Sequence, residues 1–288
     1  MPQQTLDTGL GTTYERFALY AWLDQVIGKY PVTSVLEGPG DGMTGIPGLN
    51  SLPFARHDVD VTVVLDSEWA IDLARRAWDS QDQLDQVEFH CSSDHQLPIR
   101  EQTFDLVWNF NRLPFLDAAQ LLPEMVRLSN RYILLFVPNQ YNYAFPIRQI
   151  HHKLTGKPWV YGDTNVMKYQ PVIDLLQAHN LRVLETVMVD VPWWPDIIDV
   201  TELVGDLVPF MARFMPDRKE STAYRWEPEA LPYFDRQNFA DLHQQMDKLF
   251  FIERLRQDWI RRPFAHHLGI LAEKPEPAQS NVDRQAKE

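Results

Sequence analysis

The residues best suited to hold a ligand are a glycine-rich turn and an aspartate that each end an apolar run. Leu36-Glu37-Gly38-Pro39-Gly40-Asp41-Gly42 follows directly on the β-branched stretch Val32-Thr33-Ser34-Val35-Leu36. Glycines at such a place let the backbone approach a ligand closely, and a following helix would aim free amides at it. Asp66 ends a second stretch, Val61-Thr62-Val63-Val64-Leu65, where a carboxylate can accept from both hydroxyls of a ribose. Ligands of open parallel sheets sit outside the carboxyl ends of the strands, which is where both features fall. A dinucleotide site fits less well. It wants Gly-x-Gly-x-x-Gly entering a helix, and here the third glycine comes one residue early, with proline soon after. Asp66 also lies farther from the turn than the ~20 residues usual in dinucleotide folds.

The elements that must position these residues can be read from pattern. Thr12-Thr13-Tyr14-Glu15 has the form of a capping box, opening a helix whose apolar face is Phe17, Leu19, Tyr20, Leu23, Val26 and Ile27, with Gly28 as its stop. Strands are expected at 32–36 and at 61–65, the latter continuous in apolar residues as a doubly covered strand should be. Ser67 caps a helix from Glu68 to about Trp78, and further strands are expected at 87–90, 104–108 and 132–137. A helix from Asp117 to Ser129 must be kinked or interrupted by Pro123. Pro171 opens a helix through His179, Leu181 to Val191 reads as a strand, and His267 to Ala272 as the last one. This alternation predicts an α/β fold: a doubly wound, mostly parallel seven-stranded sheet with helices on both faces. Two segments interrupt it. Gln140 to Lys168 is aromatic and shows no clear period, and 192–263 reads as a helical insertion before the last strand, with one long amphipathic helix over Asn238 to Ile260.

Composition narrows the class of partner. The 288 residues carry 27 Lys+Arg against 40 Asp+Glu, a net charge of −13. That balance repels phosphate backbones, so no nucleic-acid partner is expected. The single Cys91 excludes an internal disulfide and any Cys-x-x-Cys site, which fits a reducing, cytoplasmic location. The longest strongly apolar run, Ile133 to Val137, falls far short of the ~20 residues that span a bilayer. The expected partner is a small molecule.

Five segments in order resemble the class I S-adenosylmethionine-dependent methyltransferases: Val-Leu-Glu-Gly-Pro-Gly-Asp-Gly at 35–42, Val-Val-Leu-Asp at 63–66, Ser-Asp-His-Gln-Leu-Pro-Ile at 93–99, Phe-Asp-Leu-Val-Trp-Asn at 104–109 and Tyr-Ile-Leu-Leu-Phe-Val-Pro-Asn at 132–139. The helix beginning Thr13-Tyr14-Glu15-Arg16-Phe17 is similar to the one before the family's first strand, and 266–274 to its closing strand. The resemblance implies S-adenosylmethionine as cofactor. It places Gly38, Gly40 and Gly42 around the methionine portion, Glu37 near the ammonium group and Asp66 on the ribose. Ser67 or Glu68 would border the adenine, Asp94 with His95, or else Ser93, would meet the adenine amino group, and Asn109 and Phe110 would face the sulfonium and the acceptor. Leu36 stands where the family has its acidic residue, with Glu37 one place later. Gly45, Pro47, Gly48 and Pro53 argue against the family's uninterrupted helix after the turn.

The resemblance implies a Rossmann-like domain over 1–191 with 264–274; the pattern of 192–263 reads as a helical cap, and the polar composition of 275–288 predicts a disordered tail. The reaction the resemblance implies is methyl transfer, and the aromatic residues of the second insertion point to a small, apolar or aromatic acceptor. The other reading is a methyltransferase-like binding or scaffolding protein without turnover. If the acceptor atom begins protonated a base is needed, and His151, His152 and Tyr161 in the first insertion are the candidates. His266-His267 begins a strand, so one ring is expected to face the core. His90, Cys91 and His95 match no zinc spacing, and no metal is assigned. Trp193, Trp194, Phe210, Met211, Phe214, Met215, Tyr224, Trp226, Tyr233 and Phe234 gather apolar area in the second insertion, readable as a pocket roof, as a packed cap or as a homodimer interface.

Overall fold

The computed structural model describes residues 6–39, 45–92, 97, 99–194 and 223–275. Seven strands form one sheet: β1 (Ser34–Glu37), β2 (Asp60–Leu65), β3 (Val87–Cys91), β4 (Phe104–Phe110), β5 (Ser129–Pro138), β6 (Arg182–Val189) and β7 (His267–Glu273). Their order across the sheet is β3-β2-β1-β4-β5-β7-β6. The first five run parallel, and β7 runs antiparallel to both β5 and β6. The chain moves outward from β1 to β3, then restarts at β4 on the other side. The carboxyl ends of β1 and β4 therefore flank the switch point where open sheets bind ligands. Because β7 is reversed, its first residue, His267, lies at that same edge, opposite Pro138 and Val189.

Among the described residues the α-helices are α1 (Gly9–Lys29), α2 (Leu52–Ala55), α3 (Glu68–Asp79), α4 (Ala118–Leu128), α5 (Ala144–Thr155), α6 (Tyr169–Ala178), α7 (Ala240–Leu249) and α8 (Asp258–Arg261). Alternation along the strands divides the core in two. Val35, Val63, Trp108, Leu134 and Phe136 pack with α1 and α3, whereas Leu36, Val64, Val107, Ile133 and Leu135 pack with α4 and α6. Ser67 Oγ accepts from Ala70 N to cap α3, and Asp117 Oδ1 does the same for α4 from Ala119 N. Among the described residues between the glycine turn and β2 only the four of α2 are helical, as the Gly and Pro content there predicts.

Four expectations change. α1 begins at Gly9, ahead of Thr12, and Glu15 is buried inside it instead of closing a cap. Of the two outcomes expected at Pro123, interruption does not occur: α4 continues through it, held by Leu121, Leu122, Met125 and Leu128 in the core. The first insertion contains a helix, α5, whose period is disguised because Ile147, Ile150 and Leu154 are exposed while His151 is buried. The long helix expected over 238–260 is α7 alone, followed by turns and α8. Its apolar residues serve two cores: Met246 and Phe250 pack on the α1 side and Ile252 on the α4 side, which one straight helix could not achieve.

A buried polar chain ties the start of the protein to β1. The Asp7 carboxylate pairs with the Arg16 guanidinium, accepts from Ile46 N at 2.7 Å and from the Tyr233 hydroxyl. Arg16 Nη1 donates to Asn50 Oδ1 at 3.2 Å, and Asn50 Nδ2 and Ser51 Oγ donate to Glu37 at 2.7 and 2.6 Å. Burial opposes the Arg16 charge, but Asp7, Tyr20 and Tyr233 outweigh it and hold the guanidinium firmly protonated.

Candidate active site

Two features share the carboxyl edge of the sheet. The first is the turn after β1. Gly38 has φ +149, and a Cβ there would stand 2.8 Å from Val64 Cβ, so only glycine lets β1 exit so close to β2. Gly38 N donates to Trp108 O at 3.0 Å and Asn109 Nδ2 to Pro39 O at 3.2 Å, which stitches the turn to β4. The expected ammonium partner Glu37 is 2 % exposed, and its carboxylate faces α1 and accepts from Asn50 and Ser51. Asp66 is exposed just beyond β2. Ser67 Oγ is engaged in the α3 cap. Asn109 is fully buried, with Oδ1 accepting from Arg112 N, and Phe110 is buried against Phe136 and the His267 ring. Gly40, Gly42, Ser93, Asp94 and His95 lie outside the described residues.

The second feature is a cavity of about 350 Å³, adjoining the end of β4. Phe115, Pro138, Ala144, Phe145 and Met167 give it apolar walls, while Glu15, Asn111, Asn139, Asn142, Asp190, His266 and His267 give it a polar one. His267 Nε2 stands 2.7 Å from Glu15 Oε1 and 3.6 Å from Asp190 Oδ2. His266 Nδ1 is 2.7 Å from Asp190 Oδ2. Burial works against a charged His267, but Glu15 and Asp190 prevail and raise its pKa, while burial raises that of Glu15 in turn. Of the three base candidates, Tyr161 lines the cavity, beneath the Arg148 guanidinium at 4.4 Å from its ring. His152 packs on Trp159 and Tyr161, and His151 is buried in α5; neither lines the cavity.

Tyr233 and Phe234 border a different hollow, of about 660 Å³, between α1, β6 and α7. Trp194, Tyr224 and Trp226 pack on the α1-side core, and Phe210 to Met215 fall outside the described residues. Sequence reasoning missed Glu15, Asn111 and Asp190. The available signal was the His266-His267 pair at the head of a strand, since an antiparallel last strand delivers its first residues to the ligand edge.

The strand order, with an antiparallel seventh strand inserted between β5 and β6, is that of the class I methyltransferases. Residues 44–131 match a family model described as a methyltransferase domain. Over that stretch the chain is similar to methyltransferase domains. The matched stretch takes in β2, β3 and β4 and begins just beyond the glycines. Among curated proteins no sequence matches. Similar solved structures include a geranyl diphosphate C-methyltransferase from Streptomyces coelicolor A3(2), 14% identical over 88% of this chain and 80% of that one, TM-score 0.45. A putative sarcosine dimethylglycine methyltransferase from Galdieria sulphuraria is 12% identical over 89% and 85%, TM-score 0.47. The YcgJ protein from Bacillus subtilis is 13% identical over 90% and 99%, TM-score 0.49.

S-adenosylmethionine is the donor that the likeness to methyltransferases implies. The residues present fit its ribose end: Asp66 is a free-facing carboxylate at the end of β2, beside a β1 exit that only glycine can make. They differ at its ammonium end, where Leu36 is buried in the α4-side core and Glu37 is engaged below the turn. Among the described residues no helix is long and apolar enough to cross a membrane.

Proposed function

We propose that this chain transfers the methyl group of S-adenosylmethionine to a small acceptor that has an apolar body and a polar head. The observation that carries the reading is the continuity of Asn109, Phe110 and Asn111. The first holds the donor turn through Pro39 O, the second packs on the His267 ring, and the third lines the cavity and meets His267 Nδ1. Donor crevice and acceptor cavity are thus the two sides of one strand end. In the arrangement we propose, 1–191 with 264–274 forms the donor-binding domain.

The cofactor supplies a methyl group on a sulfonium, which leaves without further activation. The protein's share is alignment and removal of water. Asp66 accepts from the ribose hydroxyls, and the stitched turn keeps β1 and β4 at fixed separation. Phe115, Phe145 and Met167 exclude water from the acceptor body, while the Glu15–His267–Asp190 wall receives its polar head. Tyr161 stands at the wall, where its hydroxyl can hydrogen-bond the polar head of the acceptor.

A second reading, binding without turnover, is favoured by one observation: the Glu37 carboxylate is spent on Asn50 and Ser51. Incubation with methyl-labelled donor and a panel of hydroxylated and amino-bearing lipophilic acceptors separates the two. Label in any acceptor supports transfer. Binding of S-adenosylhomocysteine with no label transferred anywhere supports the second reading.

A further inference from the structure

We propose that Glu15, Asp190 and His267 together bind a divalent transition-metal cation at the polar wall of the cavity, leaving one coordination position open to the acceptor. The three come from α1, the end of β6 and the start of β7. All are buried, and one ligand atom from each lies within 4.8 Å of the others. The separations of His267 Nε2 from the two carboxylate oxygens, 2.7 and 3.6 Å, bracket the spacing of neighbouring ligands on a four-coordinate ion, roughly 3.4 Å for bonds near 2.1 Å. One imidazole and two carboxylates form a donor set suited to Zn²⁺ or Mn²⁺.

The surroundings supply an independent observation. Asn111 is 6 % exposed, its Nδ2 is 2.9 Å from His267 Nδ1, and its Oδ1 is buried with no hydrogen-bond partner. An imidazole that ligates through Nε2 carries its proton on Nδ1 and donates it to a neighbouring oxygen. A half-turn of the Asn111 carboxamide presents Oδ1 to that proton and satisfies the orphaned atom. His266 in turn holds Asp190 at 2.7 Å, as the carboxylates of metal sites are commonly held. Glu15, Asp190 and His267 all line the cavity. A bound cation there has three protein ligands and an open face, the arrangement of catalytic and not of structural ions. In methyl transfer it would grip an acceptor oxygen and lower its pKa. That role rests on the function proposed above; cation binding itself does not.

The test is calorimetric titration of Zn²⁺ and of Mn²⁺ into chelator-stripped full-length protein, without donor or acceptor. One equivalent should bind, with heats that depend on buffer ionisation because protons leave the site, and with a rise in Tm. Glu15→Gln and Asp190→Asn, each near-isosteric, should lower the affinity more than roughly tenfold, as should Asn111→Ala from one shell out. Circular dichroism checks that each variant folds, and His267→Gln replaces any that does not. Absence of saturable binding by the wild type overturns the proposal, as does equal binding by folded Glu15→Gln and Asp190→Asn. Because donor binding is measured separately with S-adenosylhomocysteine, either failure leaves the methyl-transfer reading standing.

Discussion

Asn111 Nδ2 lies 2.9 Å from His267 Nδ1, a contact between the end of β4 and the head of β7 across 156 residues of sequence. It joins the strand that holds the Gly38–Pro39 turn to the strand that carries the charged wall of the cavity. Removing the carboxamide strands a buried ring nitrogen. Asn111→Ala should therefore cost about 1–3 kcal/mol, read by urea unfolding. A loss below about 0.5 kcal/mol, the size of a neutral surface change, would mean that the contact does not order the site.

How much of this was legible in sequence follows from where each residue's partners lie. β2 and β5 are covered on both faces, so their apolar runs announced them directly, and Ser67 and Asp117 marked the helices they cap. Asp66 was legible because it follows such a run. The 238–260 helix was not, since its apolar residues divide between two cores that meet only in the folded chain. Glu15 was misread because Thr12 and Glu15 have capping-box spacing, while its actual partner is His267. Nothing local distinguishes Glu15, Asn111 or Asp190 from surface residues; only the reversed seventh strand brings them together.

Gly38→Ala places a methyl group 2.8 Å from Val64 Cβ on a backbone with φ +149. Strain at such a position costs about 1–3 kcal/mol. The expected outcome is a lowered Tm together with weakened S-adenosylhomocysteine binding. Undiminished affinity would show that the turn relaxes without consequence for the donor.

Asp7 is fully buried and is held by Arg16, Tyr233 and Ile46 N. Asp7→Ala leaves the Arg16 guanidinium buried without its counter-charge, which should cost about 3–5 kcal/mol. Chemical denaturation measures it, and a change under about 1 kcal/mol would contradict the anchoring role given to this chain of bonds.

Burial lifts the Glu253 carboxyl from 4.5 to about 7, although its Oε2 accepts from Val191 N at 2.8 Å and Tyr14 OH at 3.1 Å. The folded state thus binds this proton more tightly than the unfolded chain. The group's contribution is complete below pH 4.5 and is lost as pH rises through about 7. Glu253→Gln keeps an acceptor and never ionises. It should stabilise the protein by the order of 2–3 kcal/mol at pH 8 and by almost nothing at pH 4.5, in paired thermal melts. A gain that does not depend on pH would refute the assignment.

The most direct measurement is calorimetric titration of S-adenosylhomocysteine into the wild-type protein and into Asp66→Ala. One equivalent should bind the wild type, and loss of the charge-assisted hydrogen bonds should weaken binding by about 1.5–3 kcal/mol, roughly ten- to a hundredfold. No binding by the wild type, or equal affinity in the two proteins, would contradict a donor site at the ends of β1 and β2.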